Sequence, residues 1–333
     1  MDRPGSKSLE EYRCVCCLFD RARFLHTLTR DGEGHRGRFD LWRCSRCGFI
    51  QLRPQPDEAT LRQYYDAETY YAYRELSSRQ LSAPPYAKGG GGYLIRRWVM
   101  ETAACSGRPH TWRDHVSSVP AAMLRRRLVG GLPTHPPNGP LLDIGCGDGL
   151  FLAELKRLGW TVSGIEMDAG AVQAAQRHGL DVRQGTVEAL PFSQGSFAVI
   201  RMWHVLEHVR DPRVAIANAR RLLQPNGELI IGIPNVSSFY RWLFGPRWFG
   251  WDLPRHLSHF SPTAIRHLLA SQGFRVTSLR SSSVGTGYRS MITTYPRLTH
   301  FGLQCALALL DLPMDWIGFG DGLDITAVPA NSH

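Results

Sequence analysis

This sequence has no long apolar run. The longest, Phe301 to Leu312, is broken by Gln304 and Asp311 and stopped by Pro313, short of the ~18 apolar residues that cross a bilayer. No transmembrane segment is expected, and the run reads as a core helix in preference to an interfacial one. The first 13 residues are polar and charged. They lack the apolar centre of a secretory signal, so a cytoplasmic chain is expected. Lysine is scarce, and the basic residues are dispersed rather than blocked, unlike a polybasic nucleic-acid tail. No internal repeat of solenoid period is visible. Disorder is excluded as the bulk state, because 43% hydrophobic and 10% aromatic residues can bury enough surface to offset chain entropy.

What is present is a chain of 333 residues, long enough for two or three domains. The formal charge is +10, and residues 1–140 hold 22 Lys+Arg against 14 Asp+Glu, or +8. Such an excess suits either an acidic partner or an arginine-rich solvated surface, and the arginines scattered among Leu and Ala favour the second. Eight cysteines occur, five of them within the first 47 residues. Without a secretory signal, clustered cysteines bind metal more often than they form disulfides. Cys14-Val15-Cys16-Cys17 and Cys44-Ser45-Arg46-Cys47-Gly48 make two CxxC pairs. Four thiolates suit tetrahedral zinc and leave no open coordination position, so Cys14, Cys17, Cys44 and Cys47 are the expected ligands of a structural Zn2+, with Cys16 a spare.

Four segments follow. Residues 1–60 read as a zinc ribbon. Residues 61–139 read as a helical linker or cap, with a tyrosine patch (Tyr64, Tyr65, Tyr70, Tyr71, Tyr73), a glycine joint at Gly89–Gly92 and basic helical stretches over 93–104 and 119–129. Residues 140–283 read as a ligand-binding α/β domain, and residues 284–333 as C-terminal helices and the last strand. From Leu141 the runs LLDIG, TVSGIE, FAVIRM, ELIIGI and FRVTSL, then Leu323–Val328, read as strands. Between them LFLAELKRLG, AGAVQAAQRHG, PRVAIANARRLL and PTAIRHLLASQG carry helical spacing. That alternation implies parallel strands with crossover helices.

The sharpest motif is LLDIGCGDGL at 141–150. A buried strand runs into a glycine loop and then a helix, whose first turn offers free N–H groups and partial positive charge. The next strand ends at Glu166, where an acid accepts hydrogen bonds from a ribose. The loop is neither GxGxxG nor GxxxxGK[ST], which sets it apart from common nucleotide cradles.

DIGCGDG, Glu166, the stretch GTVEALPFSQGSFAVIRMWHVLEHVRDP (185–212) and RRLLQPNGELIIGIPN (220–235) together resemble a class I S-adenosylmethionine-dependent methyltransferase over roughly residues 140–283. The resemblance implies an α/β, Rossmann-like sheet of seven strands with the last antiparallel. It also implies a binding mode. Asp143, Gly145, Cys146 and Gly147 would surround the methionine part of the cofactor. Glu166 would hold the ribose and Met167 would pack on the adenine. Gly185, Thr186 and Val187 would face the adenine edge, although the family often has Asp where Thr186 stands. Met202 and His204 would flank the sulfonium. With the ribbon and tyrosine patch ahead of the sheet, the whole chain resembles bacterial zinc-ribbon methyltransferases.

Methyl transfer to a hydroxyl or carbon needs a positioned base, for which histidine is the usual choice. His204, Glu207 and His208 share one helical face, a set that could also hold a divalent metal or be a packing motif with a water-bridged His–Glu pair. WFGWDLPRHLSHFS (248–261) joins aromatics to Asp252, Arg255, His256 and His259. His256 or His259 is the expected base there, with Arg255 steering an anionic substrate. The resulting expectation is a methyltransferase for a small-molecule acceptor, on oxygen, nitrogen or carbon of a sugar, lipid-linked or secondary-metabolite substrate. The alternative is an RNA base methyltransferase whose basic half binds RNA. The acceptor and the oligomeric state are not legible.

Overall fold

The computed structural model describes residues 12–32, 35–65, 131–133, 138–282, 289–291, 294, 311 and 313–330. Tyr70, Tyr71 and Tyr73, the glycine joint, both basic helical stretches and nearly all of the apolar run lie outside them. No helix among the described residues is long and apolar enough to cross a membrane.

The larger sheet has seven strands: β4 (Leu141–Ile144), β5 (Val162–Glu166), β6 (Asp181–Gln184), β7 (Phe197–Trp203), β8 (Leu223–Pro234), β10 (Phe274–Ser282) and β11 (Gly322–Pro329), in the order β10-β11-β8-β7-β4-β5-β6. β4 pairs in parallel with β5 and β7, and β5 and β7 in parallel with β6 and β8, while β11 runs antiparallel to β10. Chain order thus reverses direction at β4, the switch point at which Rossmann-like sheets bind ligands. The central strands are buried along their length, as apolar runs covered on both faces must be. Six of the seven strands follow the apolar runs. The seventh, β6, reads DVRQ with only Val182 buried; as an edge strand it lacks the apolar signature of its neighbours.

Helices α2 (Leu150–Arg157), α3 (Ala169–Arg177), α4 (Pro212–Leu222) and α6 (Pro262–Ser271) fall on the stretches with helical spacing. Their starts are set locally. Asp168 and Ser261 cap α3 and α6 by accepting the amides of Ala171 and Ala264, which satisfies N–H groups that a helix start otherwise leaves open.

The chain divides into two compact units. One comprises residues 71–203 and 221–232. Leu141, Leu152, Leu155, Trp160, Val199 and Ile230 belong to its core. The other comprises residues 1–70, 204–220 and 233–333, with Leu41, Ile50, Leu52, Tyr240, Trp248, Trp251 and Leu257 in its core. Each fully buried Leu or Ile contributes about 1.5–3 kcal/mol.

The second unit also contains a four-stranded sheet, β1 (Ala22–Gly32), β2 (His35–Cys44), β3 (Ile50–Leu52) and β9 (Ser258–His259), in that order. β1 and β2 form an antiparallel hairpin running from Ala22↔Cys44 to Gly32↔His35. β3 then pairs with β9 through Ile50↔His259 and Gln51↔Ser258. The cysteine-bearing hairpin is therefore completed by two residues from far downstream. Short helices α1 (Glu58–Gln63) and α5 (Phe239–Phe244) belong to the same unit.

Candidate functional site

In the first unit, the loop after β4 turns on three glycines with left-handed backbone, Gly145 (φ 73), Gly147 (φ 57) and Gly149 (φ 74), a region that favours glycine. Two of them differ in what surrounds them. A Cβ on Gly149 would strike Leu180 and Ala175, whereas one on Gly147 would meet nothing within 4 Å. Gly149 is packing; Gly147 borders open space. Glu166 organises this opening. Its carboxylate accepts the amides of Gly147 (2.9 Å), Met167 (2.8 Å) and Asp168 (3.0 Å). Burial pushes its pKa up even so. A carboxylate has about four lone-pair sites, so one acceptor position remains after three amides. The cradle therefore offers an open glycine edge and a buried acid with capacity for one more donor, which fits a ribose-bearing cofactor.

The other expected cofactor residues divide by exposure. Met167 is 53% exposed beside this acid, an apolar side chain available to a ligand. Thr186 is exposed, and Gly185 donates its amide to the Glu166 carbonyl. Asp143, Cys146, Val187 and Met202 are buried. Asp143 is fully enclosed, and both its oxygens accept from Arg201 Nη1 at 3.0 Å, its partner across β4 and β7. Its charge is spent on that guanidinium, which makes it a support beneath the loop. Burial, followed by the nearby charges of Asp143 and Glu166, pushes the Cys146 thiol far up, so it stays protonated and unreactive.

In the second unit the four expected cysteines come together, with one sulfur from each of Cys14, Cys17, Cys44 and Cys47 within 4.8 Å of the others. The Cys14–Cys47 and Cys17–Cys44 sulfurs are 3.6 Å apart. A tetrahedral zinc with bonds of about 2.3 Å places its sulfurs about 3.8 Å apart, so the donor set fits that ion. Cys16 is buried but is not one of the four.

The same unit holds a buried acid–imidazole cluster. His204 has a left-handed backbone (φ 57), and its Nδ1 lies 3.0 Å from Glu207 Oε1, with the His204 side chain 38% exposed and that of Glu207 1%. The contact is direct, not bridged by water. Burial alone would raise the Glu207 pKa, but the hydrogen bond and charge of His204, then His208 and His256, hold it down at about 2. His208 Nδ1 faces the Arg255 carbonyl (3.1 Å) and the Tyr65 hydroxyl (2.8 Å), and His256 Nδ1 faces the Gly250 carbonyl (2.9 Å). A carbonyl only accepts, so both Nδ1 atoms carry the proton. Ligand atoms of Glu207, His208 and His256 lie within 4.8 Å of one another, a set of the kind that holds a divalent cation. Relative to the helical-face reading, His256 replaces His204 in that set.

The 248–261 segment is more enclosed than its composition suggests. His256 is 6% and His259 2% exposed. Neither ring nitrogen of His259 has a hydrogen-bond partner, and burial, then repulsion from His256, drives its pKa well down. Arg255, 1% exposed, bonds Asp252 through Nη2 (2.6 Å) and Nε and the Tyr64 carbonyl through Nη1. Its guanidinium braces the loop and is not directed at a substrate. Sequence reading missed Arg201. A lone cation inside the apolar run FAVIRMW was its signal, since a buried charge needs an opposite partner.

A family model described as a methyltransferase domain matches residues 113–279, half of the chain. The chain belongs to that family. An uncharacterised 37.1 kDa protein of transposon Tn4556 from Streptomyces fradiae is 30% identical over 51% of this chain and 56% of its own. A ubiquinone biosynthesis O-methyltransferase from Xanthomonas oryzae pv. oryzae is 36% identical over 36% of this chain and 54% of its own. The chain spans about half the length of these curated relatives. Among solved structures, an S-adenosylmethionine-dependent methyltransferase from Methanosarcina mazei covers 60% of this chain and 95% of its own, at 19% identity and a TM-score of 0.44.

Proposed function

We propose that the protein is an S-adenosylmethionine-dependent methyltransferase acting on a small-molecule acceptor. The observation that carries this reading is the cradle after β4: Gly147 borders open space, and Glu166 pins the loop while keeping one acceptor position. Gly145 and Gly147 would let the cofactor approach the backbone, Glu166 would take a ribose hydroxyl, and Met167 would cover the adenine. Bound there, the cofactor supplies an electrophilic methyl group on a sulfonium. The chain's part is to orient the acceptor and remove its proton. The O-methyltransferase named among the relatives supports a small acceptor.

Of the three candidate histidines, His204 suits the role of base best. His256 and His259 are closed off. His204 is partly exposed, and donation from Nδ1 to the Glu207 carboxylate leaves Nε2 as the basic nitrogen, the tautomer logic of acid–imidazole pairs in hydrolases. The four cysteines would hold a structural zinc ion.

The test is donor-dependent release of S-adenosylhomocysteine against a panel of quinols, sugars and RNA. Small-acceptor turnover supports the reading, and turnover confined to RNA would displace it. In the His204→Gln variant kcat is expected to fall about a hundredfold to ten-thousandfold, the usual worth of a general base, with cofactor affinity retained. A variant with unchanged kcat would remove His204 from the mechanism.

A further inference from the structure

A cavity of about 500 Å3 opens beside the second cysteine knuckle, lined by Arg23, Arg43 and Arg46 together with Ser237, Ser261 and Thr263. The methyl-transfer reading makes no use of it. Its arginines are the anomaly. Arg23 and Arg43 are direct cross-strand partners in the β1–β2 hairpin, a placement in which like charges repel. Arg46 sits within the knuckle, where its amide donates to Cys44 Sγ. Among the described residues none of the three pairs with a carboxylate. A fourth guanidinium adds to the imbalance: burial, then repulsion from Arg43, weakens the hold of Arg241 on its proton. Among the described residues, positive charge has collected at one place with no carboxylate paired to it.

The local geometry keeps that charge available. A Cβ on Gly48 (φ +75) would come 3.3 Å from the Arg43 guanidinium and 3.7 Å from Ser261 Oγ, so the missing side chain leaves room around Arg43. Ser261 Oγ donates to the Cys47 carbonyl and accepts from the Ala264 amide. One hydroxyl thereby ties the knuckle to the start of α6 along this cavity wall. Hydroxyls and planar guanidinium forks are the donors that recognise phosphate oxygens.

We propose that this cavity binds the diphosphate group of a small ligand, held by Arg23, Arg43 and Arg46. A diphosphate offers oxygens enough for three forks. Among the described residues no aromatic side chain lines the cavity, whereas surfaces that bind single-stranded nucleic acid pair a basic groove with aromatic stacking platforms. The site recognises the anion and leaves the rest of the ligand to be read elsewhere. It stands independently of the methyl-transfer reading, and either can hold without the other.

The test uses the full-length, metal-containing protein and inorganic pyrophosphate as the probe, by isothermal titration calorimetry at low salt. One equivalent is expected to bind, less tightly as salt rises, with affinity reduced about tenfold or more in Arg43→Gln and in Arg46→Gln. Arg46 is exposed, so its variant is the safer for folding, with circular dichroism and metal content as controls. No binding at millimolar pyrophosphate, or binding that neither variant weakens, overturns the proposal. A single-stranded RNA oligonucleotide serves as competitor. Displacement of pyrophosphate with an affinity that rises with RNA length would overturn the small-ligand assignment, and failure to displace it supports the assignment.

Discussion

The glycine cradle and the acid–imidazole cluster both bury carboxylates, but the two regions treat them in opposite ways. In the cradle, burial dominates and the pKa values of Asp143 and Glu166 are raised. In the cluster, His204 and its neighbours overcome burial and Glu207 is held at about 2, while burial drops His208 to about 4. In the cradle Asp143 is enclosed with Arg201, and Glu166 accepts the backbone amides of its own loops. The cluster instead holds its acid ionised through the hydrogen bond from His204.

The strongest way to separate the regions is to remove the metal set. Cys44→Ser is expected to abolish stoichiometric zinc by elemental analysis and to strip hydrogen-exchange protection from the β1–β2 hairpin, since metal binding at such sites is folding free energy. Protection in β4 and β5 should persist. Unchanged zinc content would remove the ribbon assignment.

A smaller but still severe effect is expected from Asp252→Ala. It strands the Arg255 guanidinium, whose side chain is 1% exposed, and an uncompensated buried charge costs about 3–5 kcal/mol. Urea unfolding measures the loss. A change below about 1 kcal/mol, the range of surface pairs, would show that the pair does not brace the loop.

Acid sharpens the comparison further. His208 has a folded pKa below its ordinary value of 6.5. Its stabilisation is complete above 6.5 and is lost as pH falls towards 4, because the unfolded chain takes up the proton first. Glu207 follows the same sense between about 4.5 and 2. Asp143 and Glu166, with raised values, have the reverse sign, and folding is favoured as pH falls through their folded pKa. Hydrogen exchange corrected for intrinsic rates should therefore show protection falling over 204–208 and 250–260 between pH 7 and 5, while 143–147 and 164–168 hold or gain. A parallel loss in both regions would contradict the assigned shifts.

The difference also explains what could be read from sequence. The cradle is built within two successive strand–helix turns, Gly145 to Asp168, so its residues fall within one local motif that the family resemblance covers. β6 escaped because an edge strand with one buried side chain has no apolar run. The cysteines were legible because CxxC is local, yet the strands between them were not recognised, and β9 joins their sheet from more than 200 residues downstream. The enclosure of His256 and His259 was equally hidden. His256 packs against His208 from the turn after β7, and His259 packs edge-on against Trp251, contacts that composition does not show. Burial sets the surroundings of the expected side chains: Arg255 is engaged with Asp252, Asp143 with Arg201, and His204 is the partly exposed imidazole.

The most direct test of the central claim is calorimetric titration of S-adenosylmethionine into the wild type and into Gly147→Asn, a substitution whose residue tolerates left-handed backbone and meets no protein atom within 4 Å at Cβ. One equivalent should bind the wild type, and the variant, folded as judged by circular dichroism, should bind at least about a hundredfold more weakly because its side chain enters the cradle. A wild type that does not bind, or a variant that binds equally well, would contradict the account.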